Sequence, residues 1–383
     1  RVQAAAARLF PEDSDRQGAR AVALAAGGSI TVVTGGPGTG KTWSIKRLLA
    51  LLLEEHPDLR ILLAAPTGKA AVRMTEAMGE ELELLHTTEV VENRLRTLPS
   101  STVHKMLSIR PDTGSTRYGL GSPLPADIVV VDEASMLDVL LMRKLVEAVG
   151  EGTRLVLLGD KDQLASVDAG TVLSDLVAGH FAGETGGLAG RVVAFDVNHR
   201  FRSAPTVAAI ARAVQDASPG RLAEALELLA GRARGPMETM PDRVRRLGPQ
   251  PVRGQVAPEL REALAEPYLR GGDRPGYAEA IAAVIRAQGP AGLYGGARAL
   301  IDALERYRVL ATHRRGALGV SGLNRDLEAR ARAYLQVAWG QRKHTEHADS
   351  AAGATPGDRG ATLPTRGGLW LGEPVLVTEN AYD

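Results

Sequence analysis

The sequence predicts an α/β architecture, a parallel sheet with helices on both faces. Two observations carry that prediction. Short, continuous apolar runs alternate with helical stretches between residues 30 and 195. Runs of this kind, bounded by turns, form strands buried on both faces of a parallel sheet, and the alternation sets helices against each face. The first run also feeds a glycine-rich turn, G-G-P-G-T-G-K-T at 35–42, that leads straight into an apolar helix.

The elements follow in order. Residues 1–29 are alanine-rich and read as two helices broken at Pro11. Ile30–Val33 is β-branched and short, a first strand, with a helix from the glycine turn through Leu53. Arg60–Ala64 is a second strand, followed by a helix over 68–79. Asp127–Val131 is a third, followed by a helix over 136–148. Arg154–Leu158 and Arg191–Phe195 are the fourth and fifth. Beyond about residue 200 the texture changes. Residues 205–306 read as mainly helical, with a Pro/Gly/Arg linker at 231–256. Arg308–Ala311 reads as a new strand with a helix through about Leu335, residues 344–368 as loop, and 373–383 as a further strand.

Composition excludes several classes of function. At 383 residues the chain has room for two or three domains and a core that needs no staples. It holds 44% hydrophobic and 24% charged residues, which argues against disorder of the whole, and no apolar run approaches membrane-spanning length. There is no cysteine. Disulfides, thiolate metal sites, iron–sulfur clusters and cysteine nucleophiles are thereby excluded, and a reducing, cytoplasmic setting is the expectation. Net charge is +1, so any nucleic-acid partner must be recognised by local residues rather than by bulk charge.

The glycine turn matches the pattern G-x-x-x-x-G-K-[ST] in the strand–turn–helix context that pattern needs. Backbone N–H groups of Gly36, Pro37's neighbours, Gly38, Thr39 and Gly40 can surround phosphate oxygens, and the helix N-terminus adds its dipole. Lys41 supplies a point charge to β- and γ-phosphates and Thr42 a hydroxyl for Mg²⁺. V-V-V-D-E-A-S at 129–135 ends a buried strand with Asp132 and Glu133. Asp132 suits the hydration shell of Mg²⁺, and Glu133 suits a general base on the attacking water. Taken alone, the pair also reads as two solvated carboxylates capping a helix; the phosphate loop upstream decides for the metal and water. ATP with Mg²⁺ is the expected cofactor set.

Four further segments carry polar groups, three of them after expected strands. A-P-T-G-K-A-A at 65–71 offers Thr67, Gly68 and Lys69 to a second set of phosphates. S-T-V-H-K at 101–105 is a similar polar helix start, with His104 and Lys105. G-D-K-D-Q-L at 159–164 brings Asp160 and Gln163 toward the γ-phosphate, and N-H-R-F-R-S at 198–203 brings Arg200. Lysine is scarce here, seven against 39 arginines, and four of the seven (Lys41, Lys69, Lys105, Lys161) lie in these segments. That favours sites needing a compact ammonium.

In this order the segments resemble superfamily 1 helicases. APTGKAA, VVVDEASMLD and GDKDQLASVDAGTVLSDL are similar to the RecD family, the alpha subunits of exodeoxyribonuclease V, as is G-A-L-G-V-S-G-L-N at 316–324. The resemblance implies a RecA-like phosphate-loop NTPase domain over 1–200, a mainly helical connecting region over 201–306, and the start of a second RecA-like motor domain over 307–383. It implies an ATP-dependent DNA helicase or translocase running 5′→3′ on single strands, acting on duplex ends with RecB- and RecC-type subunits. It also implies that Gln17 reads adenine, that Gln163 couples the γ-phosphate to DNA contacts, that Arg200 reaches the γ-phosphate, and that Thr67, Lys69 and His104 lie in segments touching single-stranded DNA. His199 stands where many of these proteins carry an aromatic ring. No late Q-G or T-R-A segment occurs before Asp383, and Arg1 is not a methionine. The expectation is a fragment without the N-terminal domain and last motifs, impaired in turnover by itself.

Two other readings stay open: an ATP-gated regulatory subunit that does not unwind, and a stand-alone RecD-like helicase. A small-molecule kinase has no use for G-D-K-D-Q-L. H-T-E-H at 344–347 lacks metalloprotease spacing, so His344 and His347 read as solvated. The six arginines from Arg232 to Arg253 read as linker rather than DNA track.

Overall fold

A computed structural model of the chain describes residues 16–163, most of 170–227 and of 258–349, and four residues between 365 and 370. It divides into two compact units, Arg1–Arg245 and Arg246–Asp383.

In the first unit the chain runs α1 (Arg16–Gly27), β1 (Ile30–Gly35), α2 (Lys41–Glu55), β2 (Ile61–Ala65), α3 (Gly68–Gly79), α4 (Glu89–Arg96), β3 (Ser100–Thr102), α5 (Val103–Met106), β4 (Ile128–Val131), α6 (Val139–Ala148), β5 (Arg154–Gly159), α7 (Val172–Phe181), β6 (Val192–Phe195) and α8 (Pro205–Asp216). The six strands form one sheet in the order β3-β2-β4-β5-β1-β6, and every pairing is parallel.

Side-chain alternation along each strand divides the core in two. Val33, Val130, Val156 and Leu158 face one side, where they meet Ile45, Leu48, Leu49 and Leu52 of α2 and Met74 and Met78 of α3. Val32, Val129, Val131 and Leu157 face the other, against Leu141 and Leu145 of α6 and Leu173 and Val177 of α7. This is the period-2 logic of a strand covered on both faces, and it explains why the strands read as unbroken apolar runs. Lys46 is the exception inside α2. It is 3% exposed, reaches the Glu80 carbonyl at the end of α3, and lies 5.0 Å from the Trp43 ring. Burial pushes its ammonium below its ordinary pKa, against the raising effect of Glu81, Glu80 and Glu83.

The five strands expected between residues 30 and 195 are present, each within a residue or two of its expected limits. Three points differ. A sixth strand, β3, pairs beside β2. The helix expected over 136–148 begins only at Val139, because Ala134–Met136 form a 3₁₀ turn and Asp138 caps the helix by accepting from the Leu141 N–H at 2.8 Å. Arg308–Ala311 is not a strand: the segment has no ladder partner among the described residues, and Leu310 is 94% exposed.

The second unit packs α9 (Pro258–Leu269), α10 (Tyr277–Gln288), α11 (Ala297–Glu305) and α12 (Val320–Asp349), with a short hairpin of β7 (Thr365–Arg366) and β8 (Leu369–Trp370). Ile281 and Ile285 of α10 bury against Ala331, Leu335 and Trp339 of α12. Arg330 ties α12 to α9 through Glu262 at 2.9 Å and bonds Asp326 at 3.1 Å. His344 and His347 lie on α12, one turn apart, and not in a loop. The segments 1–15, 231–256 and 373–383, with the expected first helix, the arginine-rich linker and the last strand, lie outside the described residues.

Candidate nucleotide and nucleic-acid site

All six strands are parallel, so all six end at one edge. Each is followed there by one of the segments singled out from sequence. The glycine loop follows β1, Thr67–Lys69 follows β2, His104–Lys105 follows β3, Asp132–Glu133 follows β4, Asp160–Gln163 follows β5 and Asn198–His199 follows β6. The register aligns these ends: Gly35 lies opposite Phe195, Thr34 opposite Gly159, and Ala65 opposite Thr102. The carboxyl edge of an open parallel sheet is where such folds bind ligands.

The loop's geometry follows from its glycines. Gly38 and Gly40 take left-handed backbone, φ 76° and 89°, which turns amides toward the loop's interior before α2 begins. Gly35 is required for a different reason. A Cβ there would lie 2.5 Å from the Phe195 carbonyl oxygen, so only glycine lets β6 close on β1. Thr39 is buried and its hydroxyl donates to the Gly36 carbonyl at 2.8 Å. Lys41 Nζ donates to the Gly36 carbonyl at 3.0 Å and also to that of Gly35. Thr42 opens α2 one residue further on.

Asp132 and Glu133 share this edge with Lys41. Burial raises the Asp132 carboxyl pKa, opposed by the Glu133 N–H, which donates to Oδ1 at 2.8 Å, and by the Lys41 ammonium. Burial raises Glu133 too, with Asp132 and Asp160 adding to the shift and Lys41 and a hydrogen bond from Gln163 opposing it. Mutual influence at this range means that the five groups occupy one site. Ser135 donates to Gln163 Oε1 at 3.4 Å and links the two segments. Asp160 is 4% exposed and accepts from the Asp162 N–H at 3.0 Å. For Mg²⁺ the donor set fits: a threonine hydroxyl and a buried carboxylate are hard oxygen donors.

Thr67, Gly68, Lys69, His104 and Lys105 are all exposed, at the ends of neighbouring strands. Thr67 accepts from the Ala70 N–H at 3.2 Å and caps α3, and Thr102 caps α5 through the Lys105 N–H at 3.2 Å. Two capped helix starts therefore present their cations side by side. Gln17 of α1 reaches the same edge and pairs with Asp196. His199 bonds the loop through its N–H, which donates to the Gly38 carbonyl at 2.9 Å. Arg200 lies outside the described residues.

Sequence reasoning missed Asn198, whose side-chain amide donates to the Pro37 carbonyl at 2.6 Å. It also missed Thr34, whose hydroxyl accepts from the Lys161 N–H at 3.1 Å and joins β1 to the segment after β5. Neither residue type signals such a role in sequence; only the strand order does.

The fold and this edge define a phosphate-loop α/β NTPase domain, a nucleotide-binding class. The family model described as an AAA domain matches residues 18–169. The likeness to the RecD family read from the motifs holds along nearly the whole chain. The RecBCD enzyme subunit RecD of Mycolicibacterium smegmatis is 37% identical over 98% of this chain and 56% of its own length. RecD of Haemophilus influenzae is 43% identical over 44% of this chain and 27% of its own length. The ATP-dependent RecD2 DNA helicase of Deinococcus radiodurans is 41% identical over 39% of this chain and 18% of its own length. The chain thus spans about half the length of the first of these relatives.

Proposed function

We propose that this chain is the ATP-binding part of a DNA helicase or translocase subunit of the exodeoxyribonuclease V type. The observation that carries the reading is the shared edge: the groups that would hold a nucleotide and the groups that would hold DNA phosphates end adjacent strands of one sheet. A triphosphate seats in the glycine loop. Lys41 leaves the Gly35 and Gly36 carbonyls for the β- and γ-phosphates, and Glu133 draws the proton from the attacking water. Thr42 and Asp132 would hold Mg²⁺, which would supply positive charge against the phosphate oxygens. Gln163 bridges Glu133 and Ser135, so a change at the γ-phosphate is felt by the segment after β5. Arg200, placed after β6, adds charge at the γ-phosphate.

DNA phosphates lie along Thr67–Lys69 and His104–Lys105. A change in the tilt of α3 and α5 between nucleotide states alters that grip and moves the strand stepwise. Similarity over 98% of the chain to the RecD subunit of Mycolicibacterium smegmatis, against 39% for RecD2, supports a subunit working with RecB- and RecC-type partners over a stand-alone helicase. Movement runs 5′→3′, testable with partial duplexes tailed on one end or the other.

The decisive test is binding of a fluorescent ATP analogue with Mg²⁺, with and without single-stranded DNA. Lys41→Ala should weaken binding at least tenfold, and single-stranded DNA should stimulate hydrolysis by the parent. Unchanged binding in Lys41→Ala sinks the nucleotide site. Nucleotide binding with no response to DNA favours a regulatory subunit.

A further inference from the structure

The four residues after β6 join two parts of the nucleotide site. The Asp196 carboxylate accepts from Gln17 Nε2 at 2.7 Å, and the Asp196 backbone N–H donates to Gln17 Oε1 at 3.3 Å. Two and three residues on, Asn198 and His199 bond the carbonyls of Pro37 and Gly38. One short segment therefore grips the Gln17 amide and the phosphate loop's backbone together. Asp196 also lines a cavity of about 730 Å³ whose walls include Gly36, Pro37, Phe195 and Phe201.

A primary amide can be turned over with almost no change of shape, exchanging its donating and accepting ends. The two partners here forbid that exchange. A carboxylate only accepts and a backbone N–H only donates, so Nε2 must face the carboxylate and Oε1 the N–H. Each end keeps one further bonding position.

We propose that Asp196 is a positioning residue that fixes the Gln17 amide, so that a purine on the phosphate loop meets a donor and an acceptor in set order. The inference rests on the nucleotide reading above, with Gln17 as the residue that meets the base, and adds the residue that orients its amide. Adenine offers an acceptor at N7 beside a donor at N6; guanine offers acceptors at both N7 and O6. A fixed donor–acceptor amide satisfies adenine and sets its oxygen against an oxygen of guanine. An amide free to turn loses that discrimination.

The test is displacement of a fluorescent ATP analogue by unlabelled ATP or GTP in Mg²⁺. The wild-type protein should prefer ATP. Asp196→Ala should narrow the ATP/GTP ratio about tenfold, the effect of about one hydrogen bond, while competition by inorganic pyrophosphate stays unchanged. Asp196→Asn should keep the ratio, because its side-chain oxygen still accepts from Nε2. Gln17→Ala combined with Asp196→Ala should narrow it no further than either change alone. A wild-type ratio in Asp196→Ala overturns the proposal, as does an additive double variant or a wild-type protein that does not discriminate. If Asp196→Ala melts early by circular dichroism, Asp196→Ser withdraws the acceptor, keeps a polar surface and carries the same expectation. Failure of the nucleotide reading looks different: the analogue itself then does not bind, or binds Lys41→Ala equally well.

Discussion

At Glu133 the chain accepts left-handed backbone, φ 52°, at a residue with a bulky side chain. Such a conformation costs on the order of 1–3 kcal/mol and persists only where surrounding structure imposes it. The surroundings here are specific. β4 is buried to its last residue, and Asp132 Oδ1 then takes the Glu133 N–H, so the chain must turn within one residue. The turn leaves Asp132 and Glu133 both in range of Lys41. Glu81 takes similar backbone, φ 49°, so the turn alone does not mark a base; what sets Glu133 apart is its place beside Asp132 and Lys41. Glu133→Gln keeps the shape and the Gln163 contact and removes the ability to take a proton. It should bind the ATP analogue as the parent does and lower DNA-stimulated hydrolysis by about 10²–10⁴. Single-turnover hydrolysis measures this, and an unchanged rate removes Glu133 as the base.

The elements show what sequence can and cannot disclose. β1, β2, β4, β5 and β6 were legible because each is apolar on both faces, and burial on both faces leaves no polar alternation to confuse the pattern. β3 was not: Ser100–Thr102 is three residues, polar and only half-buried, and it is a strand because Leu63–Ala65 offers it a parallel partner. Arg308–Ala311 fails the opposite way. Its residues suit a strand, but among the described residues no partner supplies a ladder, and propensity alone does not make one. The site was legible wherever chemistry needs a rare residue at fixed spacing, as in the glycine loop. It was illegible where a common residue acts through strand order, as with Asn198 and Thr34.

One stitch between elements makes a pH prediction. At the amino ends of β2 and β4, Arg60 bonds both carboxylate oxygens of Asp127, at 2.8 and 3.1 Å, and its backbone N–H adds a third bond at 2.8 Å. The Arg60 side chain holds the Asp127 carboxyl down to about 2, below its ordinary 3.8. A carboxyl with a depressed folded-state pKa adds stability that is complete above its unfolded value and lost as pH falls through its folded one. The Arg60 side chain is 61% exposed, so water screens the pair and the effect is small. Asp127→Asn should lower the thermal midpoint at pH 7, with the gap from the parent closing between about pH 4 and pH 2. A gap that stays constant over that window shows that the pair contributes no charge-dependent stability.

For the molecule as a whole, 46 basic residues against 45 acidic ones leave almost no net field to attract a polyanion. On the function proposed, affinity for DNA comes from a few cations placed in register with phosphates, and the salt dependence counts them. Each phosphate neutralised on a single strand adds about 0.7 to the slope of log affinity against log salt. The exposed lysines after β2 and β3 stand on adjacent strands, behind caps that fix their helix starts. Several surface arginines lie in pairs with acids, as Arg143 does with Glu147 and Arg298 with Asp302, and such pairs release few counterions. Lys69→Ala with Lys105→Ala should therefore flatten the slope by about 1.4 and weaken binding most at low salt. Arg143→Ala, far along α6 from those strand ends in sequence and already paired with an acid, should leave the slope unchanged. Fluorescence anisotropy of a labelled oligonucleotide across a salt series measures both. An unchanged slope in the double lysine variant would move the DNA path off the carboxyl ends of β2 and β3 and would leave their shared edge with the nucleotide loop without a mechanical role.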